Sequence, residues 1–212
     1  MHDLKNIRKE YRLKVLDEKH VSTDPFHQFS VWIGEALQSE VMEPTATVIS
    51  TVSKEGRPSS RIVLLKQASA LGFDFYTNQQ SKKGQHLNQN VFASLLFFWP
   101  ELERQIRIEG AVQKLSDEDS DNYFQSRPTQ SKISAWASPQ STIIPDRKML
   151  KDWFVEFEKI FLTNPIKRPP HWGGYRLTPD LIEFWQGREN RLHDRIEYIK
   201  LEGAWKFHRL AP

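Results

Sequence analysis

The chain has 212 residues, enough for one large domain or two small ones, and its 38% hydrophobic content is too high for a disordered protein. The absence of cysteine excludes disulfides, thiolate metal sites and a cysteine nucleophile. With 30 Lys and Arg residues against 27 Asp and Glu residues, the net charge is +3, which fits an anionic small molecule as well as a nucleic acid.

The sequence gives no indication of membrane insertion or export. The longest apolar run, Val91–Trp99, is too short for a transmembrane helix, and the N-terminal residues lack the apolar core of a secretory signal. The sequence also lacks a glycine-rich phosphate loop, a nucleophile elbow and a metal-ligand spacing among its seven histidines. We therefore expect a cytoplasmic protein with no membrane part and no metal.

The first predicted elements are helices. Residues 3–19 carry Ile7, Tyr11 and Val15 four apart, which predicts a polar helix with a thin apolar stripe, so we expect this segment to be mobile until it docks. Asp24-Pro25 is typical of a helix start, and core-facing apolar residues follow it at helical spacing.

From Thr45 the hydrophobic period changes to two, which predicts strands. The predicted strands are Thr45–Ser53, Ser59–Gln67, Gly72–Thr77, Val91–Trp99, Glu101–Leu115, Gly173–Leu177, Leu181–Trp185, Arg191–Lys200 and Ala204–Leu210. The predicted helices between them are Ser81–Asn88, two short helices within 117–137, and Pro145–Leu162. Closely spaced strands joined by short turns favour an antiparallel barrel or sandwich, so we expect a mainly β fold with flanking helices.

The sharpest chemical feature is the segment from Arg191 to Arg195. On the predicted strand Arg191, His193 and Arg195 share one face, and three cations on one face are costly unless an anion or an electron-rich ring lies against them. Trp185 lies just upstream, and an indole near cations suits a flat aromatic ligand. The alternative is a solvated sheet edge.

Two further motifs place cations at the ends of elements. Arg61 and Lys66 are five residues apart, so on a regular predicted strand their side chains point to opposite faces. Both can reach one ligand only if one of them lies at the strand's end or in a bulge. Lys82 and Lys83 follow Ser81 at a helix start, where backbone amides and cations form a natural phosphate site. The alternatives are a strand with charged ends and a solvated lysine pair.

Other polar residues supply compatible groups. Tyr123, Arg127 and Ser131 are spaced four apart and offer a phenol, a guanidinium and a hydroxyl, all of which donate to phosphate. Gln105 and Gln140-Ser141 carry neutral groups that can bind the edge of a heterocycle. Two phosphate-like clusters together with aromatic and amide groups suggest two phosphorylated aromatic ligands.

Six sequence motifs are specific enough to compare with known families. They are Arg61-Ile62-Val63-Leu64-Leu65-Lys66, Glu103-Arg104-Gln105-Ile106-Arg107, Ser138-Pro139-Gln140-Ser141, Glu183-Phe184-Trp185-Gln186-Gly187, Arg191-Leu192-His193-Asp194-Arg195 and the ending Arg209-Leu210-Ala211-Pro212. On these motifs, the sequence from Ile7 to Pro212 resembles the pyridoxamine (pyridoxine) 5′-phosphate oxidase family. One departure is Lys82, which stands where the family usually has arginine and replaces a bidentate fork with a point charge.

The resemblance implies an FMN-binding split β-barrel that forms a homodimer, with FMN at the subunit interface. It implies a mobile N-terminal helix or lid over residues 1–20 and a single domain over residues 21–212 that includes the C-terminal dimerisation strands. The FMN-binding residues it implies are Arg61, Ile62, Val63, Leu64, Lys66, Tyr76, Thr77, Lys82, Lys83, Gln105, Gln140, Ser141, Trp185 and Arg195. The substrate-binding residues it implies are Arg8, Tyr11, Lys66, Tyr123, Arg127, Ser131, Arg191 and His193, the last two being catalytic.

The activity implied by the resemblance is oxidation of pyridoxamine or pyridoxine 5′-phosphate at C4′ to pyridoxal 5′-phosphate, with hydride transfer to FMN and reduction of O2 to H2O2. Three alternatives remain open: another split-barrel flavin oxidase, of the phenazine-biosynthesis type; a non-catalytic flavin- or haem-binding module; and a nucleic-acid binder. The small net charge and the short cationic motifs disfavour the last.

Overall fold

The fold was analysed in a computed structural model, which describes Lys5 and residues 10–212. Within these residues the α-helices are α1 (Pro25–Leu37), α2 (Lys82–Gln89), α3 (Asp117–Ser126), α4 (Thr129–Ala137) and α5 (Arg147–Ile160). The strands are β1 (Ala46–Val52), β2 (Pro58–Ser69), β3 (Gly72–Asn78), β4 (Phe92–Trp99), β5 (Arg104–Lys114), β6 (Trp172–Gln186), β7 (Asp194–Leu201) and β8 (Ala204–Arg209). A 3-10 turn at Glu189–Arg191 precedes β7.

The strands are hydrogen-bonded in the order β3-β2-β1-β4-β5-β6-β7-β8, and β3 also pairs with β6. This additional pairing closes the first six strands of the series into an antiparallel barrel. Closure removes the unpaired edges that an open sheet would expose. The predicted mainly β fold with flanking helices, and its split-barrel class, are confirmed.

The chain forms two compact units. Unit 1 contains the residues up to Val48 together with Ser94–Gly110 and Pro179–Pro212, and unit 2 contains Ile49–Ala93 and Ala111–Thr178. Candidate site residues occur in both units.

In unit 1 an aromatic core anchors α1. The Asp24 side chain accepts a hydrogen bond from the Phe26 backbone and caps the helix. Phe29 and Trp32 on the buried face of α1 pack edge to face against Phe97 and Phe184, with ring centroids 5.5 and 5.1 Å apart. All four rings are almost completely buried, so this contact holds the helix on the strands.

In unit 2 the important irregularity is on β2. Leu65 pairs with Phe75 and Gln67 pairs with Asp74 across the β2–β3 ladder, so the register shifts at the intervening Lys66. A bulge of this kind re-aims one side chain of a strand. Lys66 therefore lies in a bulge, one of the two arrangements by which Lys66 and Arg61 could reach the same ligand from one strand.

Unit 2 also carries the helices predicted between the strands. α3 and α4 meet at Arg127-Pro128, as expected for residues 117–137, and the α3 start is capped by the Ser116 hydroxyl. α2 begins after Ser81, whose hydroxyl accepts from the Gly84 backbone. These helix predictions are confirmed to within a residue or two.

Three element predictions differ from the structure. Residues 10–19 contain no helix, and the rest of the predicted N-terminal helix, apart from Lys5, lies outside the described residues. The strands predicted at Gly173–Leu177 and Leu181–Trp185 form one strand, β6. Pro179 interrupts neither ladder, because residues 172–177 pair with β3 whereas residues 181–186 pair with β7.

The third difference concerns the chemically important segment. The strand predicted from Arg191 begins only at Asp194, after the 3-10 turn. Asn190 and Arg191 have φ of 55° and 60°, in the left-handed region. The alternation that would place Arg191, His193 and Arg195 on one strand face is therefore wrong. Among the described residues, no helix is both long and apolar enough to cross a membrane.

Candidate functional site

Arg61 in unit 2 is held by neutral oxygen atoms. Its Nη1 donates to Thr51 Oγ1 at 2.7 Å and to the Ser59 carbonyl at 2.8 Å, and its Nη2 donates to Ser59 Oγ at 2.8 Å. Burial lowers the pKa of Arg61 from its ordinary value. The guanidinium remains charged at any physiological pH, so this charge is only partly compensated.

Lys83, at the start of α2, has a similar environment. Its Nζ donates to Thr77 Oγ1 at 2.7 Å, to Gln140 Oε1 at 2.8 Å and to Ser81 Oγ at 3.2 Å. The residue is only 6% exposed. Burial, and secondarily the charge of Arg61, lowers the pKa of Lys83 to about 8.

Arg61 and Lys83 together form a candidate anion site. Within residues 10–212, every hydrogen-bond partner of Arg61 and Lys83 is neutral. Buried cations are normally paired with carboxylates, because an unpaired buried charge is costly. The backbone amides at the start of α2 add partial positive charge at the same place. The arrangement fits the phosphate of a bound ligand.

A cavity of about 510 Å³ in unit 2 contains the second predicted cluster. Its lining residues are Leu64, Lys66, Tyr76, Thr77, Asn78, Tyr123, Arg127, Pro128, Ser131, Ser134, Ala135, Ser138, Gln140 and Trp172. The four unit 2 residues expected to bind the substrate phosphate therefore meet around one cavity, together with four of the residues expected to bind FMN.

Arg127 is placed in this cavity by aromatic rings. Its guanidinium lies 4.7 Å from the ring centroid of Trp172 and 5.7 Å from that of Phe124. Its Nη1 is buried without a hydrogen-bond partner among the described residues, and burial lowers its pKa. A half-buried guanidinium with a free N–H is equipped to bind an anion.

Stacked rings form one wall of the cavity. Tyr76 and Tyr123 are stacked at 3.9 Å between centroids, and Trp172 lies nearly parallel to both, at 5.6 and 6.1 Å. Gly174 permits this arrangement, since a Cβ there would lie 2.7 Å from Tyr76 Cε1. Sequence reasoning missed Trp172, and the Gly173-Gly174 pair that follows it is the signal of close approach that could have revealed it.

Unit 1 contains a separate cluster of candidate residues, which is aromatic. The Trp185 and His193 ring centroids are 4.6 Å apart, and Tyr11 packs against both at 5.8 and 6.0 Å. Gly187 provides the space, because a Cβ there would lie 2.6 Å from Tyr11 Cγ. Tyr11, Trp185 and His193 are thus brought together, whereas Arg8 lies outside the described residues.

The hydrogen bonding of His193 indicates the tautomer of its neutral ring. The Arg188 backbone N–H donates to His193 Nδ1 at 3.1 Å, which places the proton of the neutral ring on Nε2. Burial, and then the charge of Arg191, lowers the pKa of His193. The ring is therefore a neutral donor at Nε2. Arg191 is exposed on the strained turn.

Arg195 differs from the other predicted cations. It binds Glu183 through Nε to Oε1 at 2.7 Å and Nη2 to Oε2 at 3.2 Å, and its Nη1 donates to the Ala211 carbonyl at 2.8 Å. Glu183 is 2% exposed and also binds Arg107 at 2.7 Å. This charge is satisfied within the protein, and its predicted role toward FMN stays a prediction.

The remaining predicted residues have varied settings. Ile62 and Leu64 are exposed on β2 whereas Val63 is buried, and Gln105 is half-buried on β5. Lys82 and Ser141 are exposed. Within the described part of the chain, no group of His, Asp and Glu side chains is arranged to hold a metal ion.

Comparison with known proteins places these features in context. The family model described as pyridoxamine 5′-phosphate oxidase matches residues 33–161, and the model described as the pyridoxine 5′-phosphate oxidase C-terminal dimerisation region matches residues 172–212. A curated pyridoxine/pyridoxamine 5′-phosphate oxidase from Neisseria gonorrhoeae is 50% identical over 212 residues, covering 99% of this chain and 100% of the relative. Its counterpart from Cyanothece is 49% identical over 209 residues, covering 99% and 98%.

Solved structures show the same likeness. PhzG from Burkholderia lata, in complex with tetrahydrophenazine-1-carboxylic acid, has a TM-score of 0.88 at 31% identity and covers 94% of this chain and 99% of its own. A pyridoxamine 5′-phosphate oxidase-related, FMN-binding protein from Nostoc punctiforme has a TM-score of 0.71 at 17% identity and covers 91% of this chain and 100% of its own, which shows a likeness of fold alone.

Proposed function

The chain belongs to the pyridoxamine 5′-phosphate oxidase family, and from this premise we propose that it is an FMN-dependent oxidase that converts pyridoxamine or pyridoxine 5′-phosphate to pyridoxal 5′-phosphate. The observation that carries the proposal is the presence in unit 2 of two cationic groups, Arg61 with Lys83 and Arg127 with Lys66, that suit two phosphorylated ligands. A nucleic-acid binder would need a continuous basic stripe instead.

The first group fits the FMN phosphate. Arg61 is half-buried and Lys83 is buried, and both have only neutral partners among the described residues, so an incoming phosphate supplies the charge they lack. Thr77 and Gln140 already bind Lys83 and can turn toward the same ligand. When bound, FMN supplies the hydride acceptor and the reaction with O2 that yields H2O2.

The second group fits the substrate phosphate. Arg127, Lys66, Tyr123 and Ser131 line one cavity and offer a guanidinium, an ammonium, a phenol and a hydroxyl. Holding the phosphate fixes the opposite end of the pyridine ring, so the contribution of these residues is orientation. A substrate without phosphate loses that anchor.

His193 and Arg191 would act at the pyridine ring. His193 carries its proton on Nε2 and can donate to a ring oxygen, most simply the 3-oxygen. Arg191 would lie over the substrate face opposite the flavin and steady the charge that develops during hydride transfer. Trp185 packs on His193 and limits its rotation. We assign neither His193 nor Arg191 as a proton-transfer base.

A homodimer with FMN at its subunit interface completes the proposal. The C-terminal region matches a family model described as a dimerisation region, which supports the dimer. Strands β2 and β4 expose Ile62 at 68%, Phe92 at 62% and Phe98 at 53%, and outward apolar side chains on a barrel favour burial against a partner. Residues of both subunits would then contribute to each FMN site.

The N-terminal lid is also part of the proposal. Glu103 Oε2 accepts hydrogen bonds from the Arg12 and Leu13 backbone at 2.7 and 3.1 Å, and Tyr11 packs on Trp185 and His193. These contacts support a lid within residues 1–20 that closes over the ring end of the site. The single domain over residues 21–212 and the cytoplasmic location stay predictions.

Oxygen uptake by the FMN-reconstituted protein tests the proposal directly. We expect a yellow protein that releases FMN on denaturation and consumes O2 with pyridoxamine or pyridoxine 5′-phosphate, but hardly with unphosphorylated pyridoxine. A protein that binds no FMN contradicts the proposal. FMN binding without turnover supports a non-catalytic module, and turnover of a reduced phenazine carboxylate alone supports the phenazine-type oxidase.

A further inference from the structure

We propose that Arg168 is a positioning residue for the substrate-phosphate cavity, acting through Arg127 and Trp172. This inference rests on the proposed function, because it assigns a role to a residue beside the same cavity. Arg168 does not line the cavity. It lies in the connector of residues 164–171, between α5 and β6, which the sequence marks only as a Pro-rich segment.

Each of the three guanidinium nitrogens of Arg168 donates one hydrogen bond. Its Nε donates to Asp121 Oδ1 at 2.6 Å, its Nη2 to Asp117 Oδ1 at 2.7 Å, and its Nη1 to the Trp172 carbonyl at 2.6 Å. The Arg168 side chain is 11% exposed, whereas those of Asp117 and Asp121 are 92% and 56% exposed. Arg168 therefore ties the first turns of α3 to the first residue of β6.

Other contacts hold the same connector against the helices. Gln125 Nε2 on α3 donates to the Ile166 carbonyl at 3.0 Å, and Trp136 Nε1 on α4 donates to the Lys167 carbonyl at 2.8 Å. Two connector side chains also bond these helices: the His171 Nε2 contacts the Ala135 carbonyl on α4 at 3.1 Å, whereas Arg168 binds α3. Among the described residues of the connector, Arg168 is thus the side chain that ties α3 to Trp172.

This link matters because Arg127 depends on both elements. Arg127 is the residue that ends α3, and its guanidinium lies 4.7 Å from the Trp172 ring with an unpaired buried Nη1. Within the described residues its side chain has no carboxylate partner. Its position is set by the spacing between α3 and Trp172, which is the spacing that Arg168 spans. Arg168 acts on the phosphate through geometry and not through contact.

The expected signature is a change in KM without a matching change in kcat. Arg168→Gln should raise KM for pyridoxamine 5′-phosphate about 10-fold, with kcat changed less than about 2-fold and FMN content unchanged. A displaced Arg127 binds the substrate phosphate less tightly in the ground state and the transition state alike, which changes KM and not kcat. Arg168→Lys keeps the charge but replaces three separated guanidinium nitrogens with one compact ammonium, so its KM should lie between those of the wild type and Arg168→Gln. Asp121→Asn removes one bond from the other side and should shift KM in the same direction by a smaller factor.

Lys167→Gln is the matched control. It removes one positive charge from the neighbouring exposed residue while the backbone carbonyl that Trp136 binds is retained. A long-range effect of charge on an anionic substrate would appear in both variants, whereas positioning affects Arg168 alone. Equal KM values for Arg168→Gln and Lys167→Gln would overturn the proposal, as would a loss of kcat and FMN content together.

A binding measurement separates this proposal from the proposed function. Inorganic phosphate is titrated calorimetrically into FMN-loaded wild type, Arg168→Gln and Lys167→Gln. We expect binding to weaken about 10-fold in Arg168→Gln only. If the wild type oxidises neither substrate, the proposed function fails while this titration still decides the role of Arg168. Unchanged phosphate affinity in Arg168→Gln would refute that role.

Discussion

The two units differ in how fully they pair their buried and half-buried arginine and lysine residues. In the described part of unit 1 these cations are paired with carboxylates, such as Arg104 with Glu35 at 2.7 Å and Arg195 with Glu183 at 2.7 Å. Unit 2 also has paired cations, Arg176 with Asp74 and Arg168 with Asp117 and Asp121. It differs in further cations, among them the buried Lys83 and the half-buried Arg61 and Arg127, to which the described residues offer hydroxyls, amides, a carbonyl and rings but no carboxylate.

This difference distinguishes structural charge from functional charge without reference to any relative. A cation paired with a buried carboxylate stabilises the fold, and its removal leaves the carboxylate unpaired. A cation surrounded by neutral partners costs folding free energy until an anion arrives. The following predictions test whether this division holds, in order of decreasing expected effect.

Arg191 in unit 1 is exposed and sits on a strained turn, and among the described residues no carboxylate is bonded to it. Arg191→Ala should reduce kcat/KM about 100-fold or more, as is typical for loss of one charge that stabilises a transition state. FMN content, measured by absorbance, should be unchanged. Arg57→Ala, on the exposed turn between β1 and β2, is the control and should have wild-type turnover. Equal loss of turnover and FMN would contradict the assigned role.

Glu183 tests the structural side of the comparison. Burial opposes its ionisation, but hydrogen bonds from Arg195 and Arg107 outweigh burial and hold the pKa of Glu183 below its ordinary value. Glu183→Gln should lower the free energy of unfolding by about 2 kcal/mol, less than for a fully buried pair because both arginines are partly exposed. Urea denaturation measures the change, with Glu109→Gln as the more exposed comparison.

The ion pairs of Glu183 with Arg195 and Arg107 also predict that the stability of the protein depends on pH. Because the folded-state pKa of Glu183 is depressed, its stabilisation is fully present above the ordinary carboxyl pKa of 4.5 and is lost as the pH falls through the depressed value. The difference in stability between wild type and Glu183→Gln should therefore shrink on acidification below about pH 4.5. A difference that stays constant to low pH would contradict the ion pair.

Arg127 tests the functional side. Arg127→Leu should raise KM for pyridoxamine 5′-phosphate about 30-fold, the size expected for loss of a charge-assisted bond to phosphate, while the stability of the ligand-free protein should not fall in proportion. Steady-state kinetics and thermal unfolding measure the two effects. If Arg127→Leu destabilises the protein as strongly as Glu183→Gln does, Arg127 belongs with the structural charges and the division between units fails.

Lys83 gives the smallest expected effect and the most specific one. FMN affinity should be constant between about pH 7, where the phosphate is already a dianion, and about pH 8. It should weaken above that, because the pKa of Lys83 is lowered to about 8 and the neutral amine no longer attracts phosphate. Lys83→Met should weaken FMN binding about 10-fold at pH 7 and abolish this pH dependence. Lys82→Met, at the exposed neighbour, should have a smaller effect. Fluorescence of free FMN reports the binding.

The ligand-free protein should respond in the opposite direction. Burial favours the neutral amine in the folded state, so Lys83 lowers stability below about pH 8, and this loss is relieved as the pH rises from about 8 toward 10.5. Lys83→Met should therefore stabilise the FMN-free protein at pH 7 while weakening FMN binding. A variant that is both less stable and weaker in binding would place Lys83 among the structural charges.

Local signals in the sequence predicted the helices well. Asp24, Ser81, Ser116 and Asp146 each cap the helix that follows, and a cap acts through the next three residues, so its effect is visible in the sequence. The mainly β fold also followed from alternation within each strand. A bulge near Lys66 was one of two ways in which Arg61 and Lys66 could reach one ligand, the other being a place at the strand's end, and the structure has the bulge.

Features that depend on distant contacts could not be predicted. The turn before β7 is fixed by a hydrogen bond from the Gly187 backbone to the Glu103 carbonyl, 84 residues earlier, at 2.8 Å, and by the Arg188 bond to His193. The strand prediction from Arg191 failed because the sequence around the turn gives no indication of the distant Glu103 carbonyl that holds Gly187. The same reason explains why the sequence could not separate Arg195, which finds Glu183 across the β6–β7 ladder, from the unpaired cations of unit 2.

The stack of Tyr76, Tyr123 and Trp172 also gives the protein an optical property. Parallel aromatic chromophores this close couple their ultraviolet transitions, so the stack should contribute a distinct near-ultraviolet circular dichroism band. The guanidinium of Arg127 lies over the indole, and drawing it toward an anion changes the electric field at that chromophore. The difference spectrum between wild type and Trp172→Phe isolates this band from the other six tryptophans. The cavity thus carries an intrinsic chromophore that reports phosphate occupancy without an added dye and without turnover.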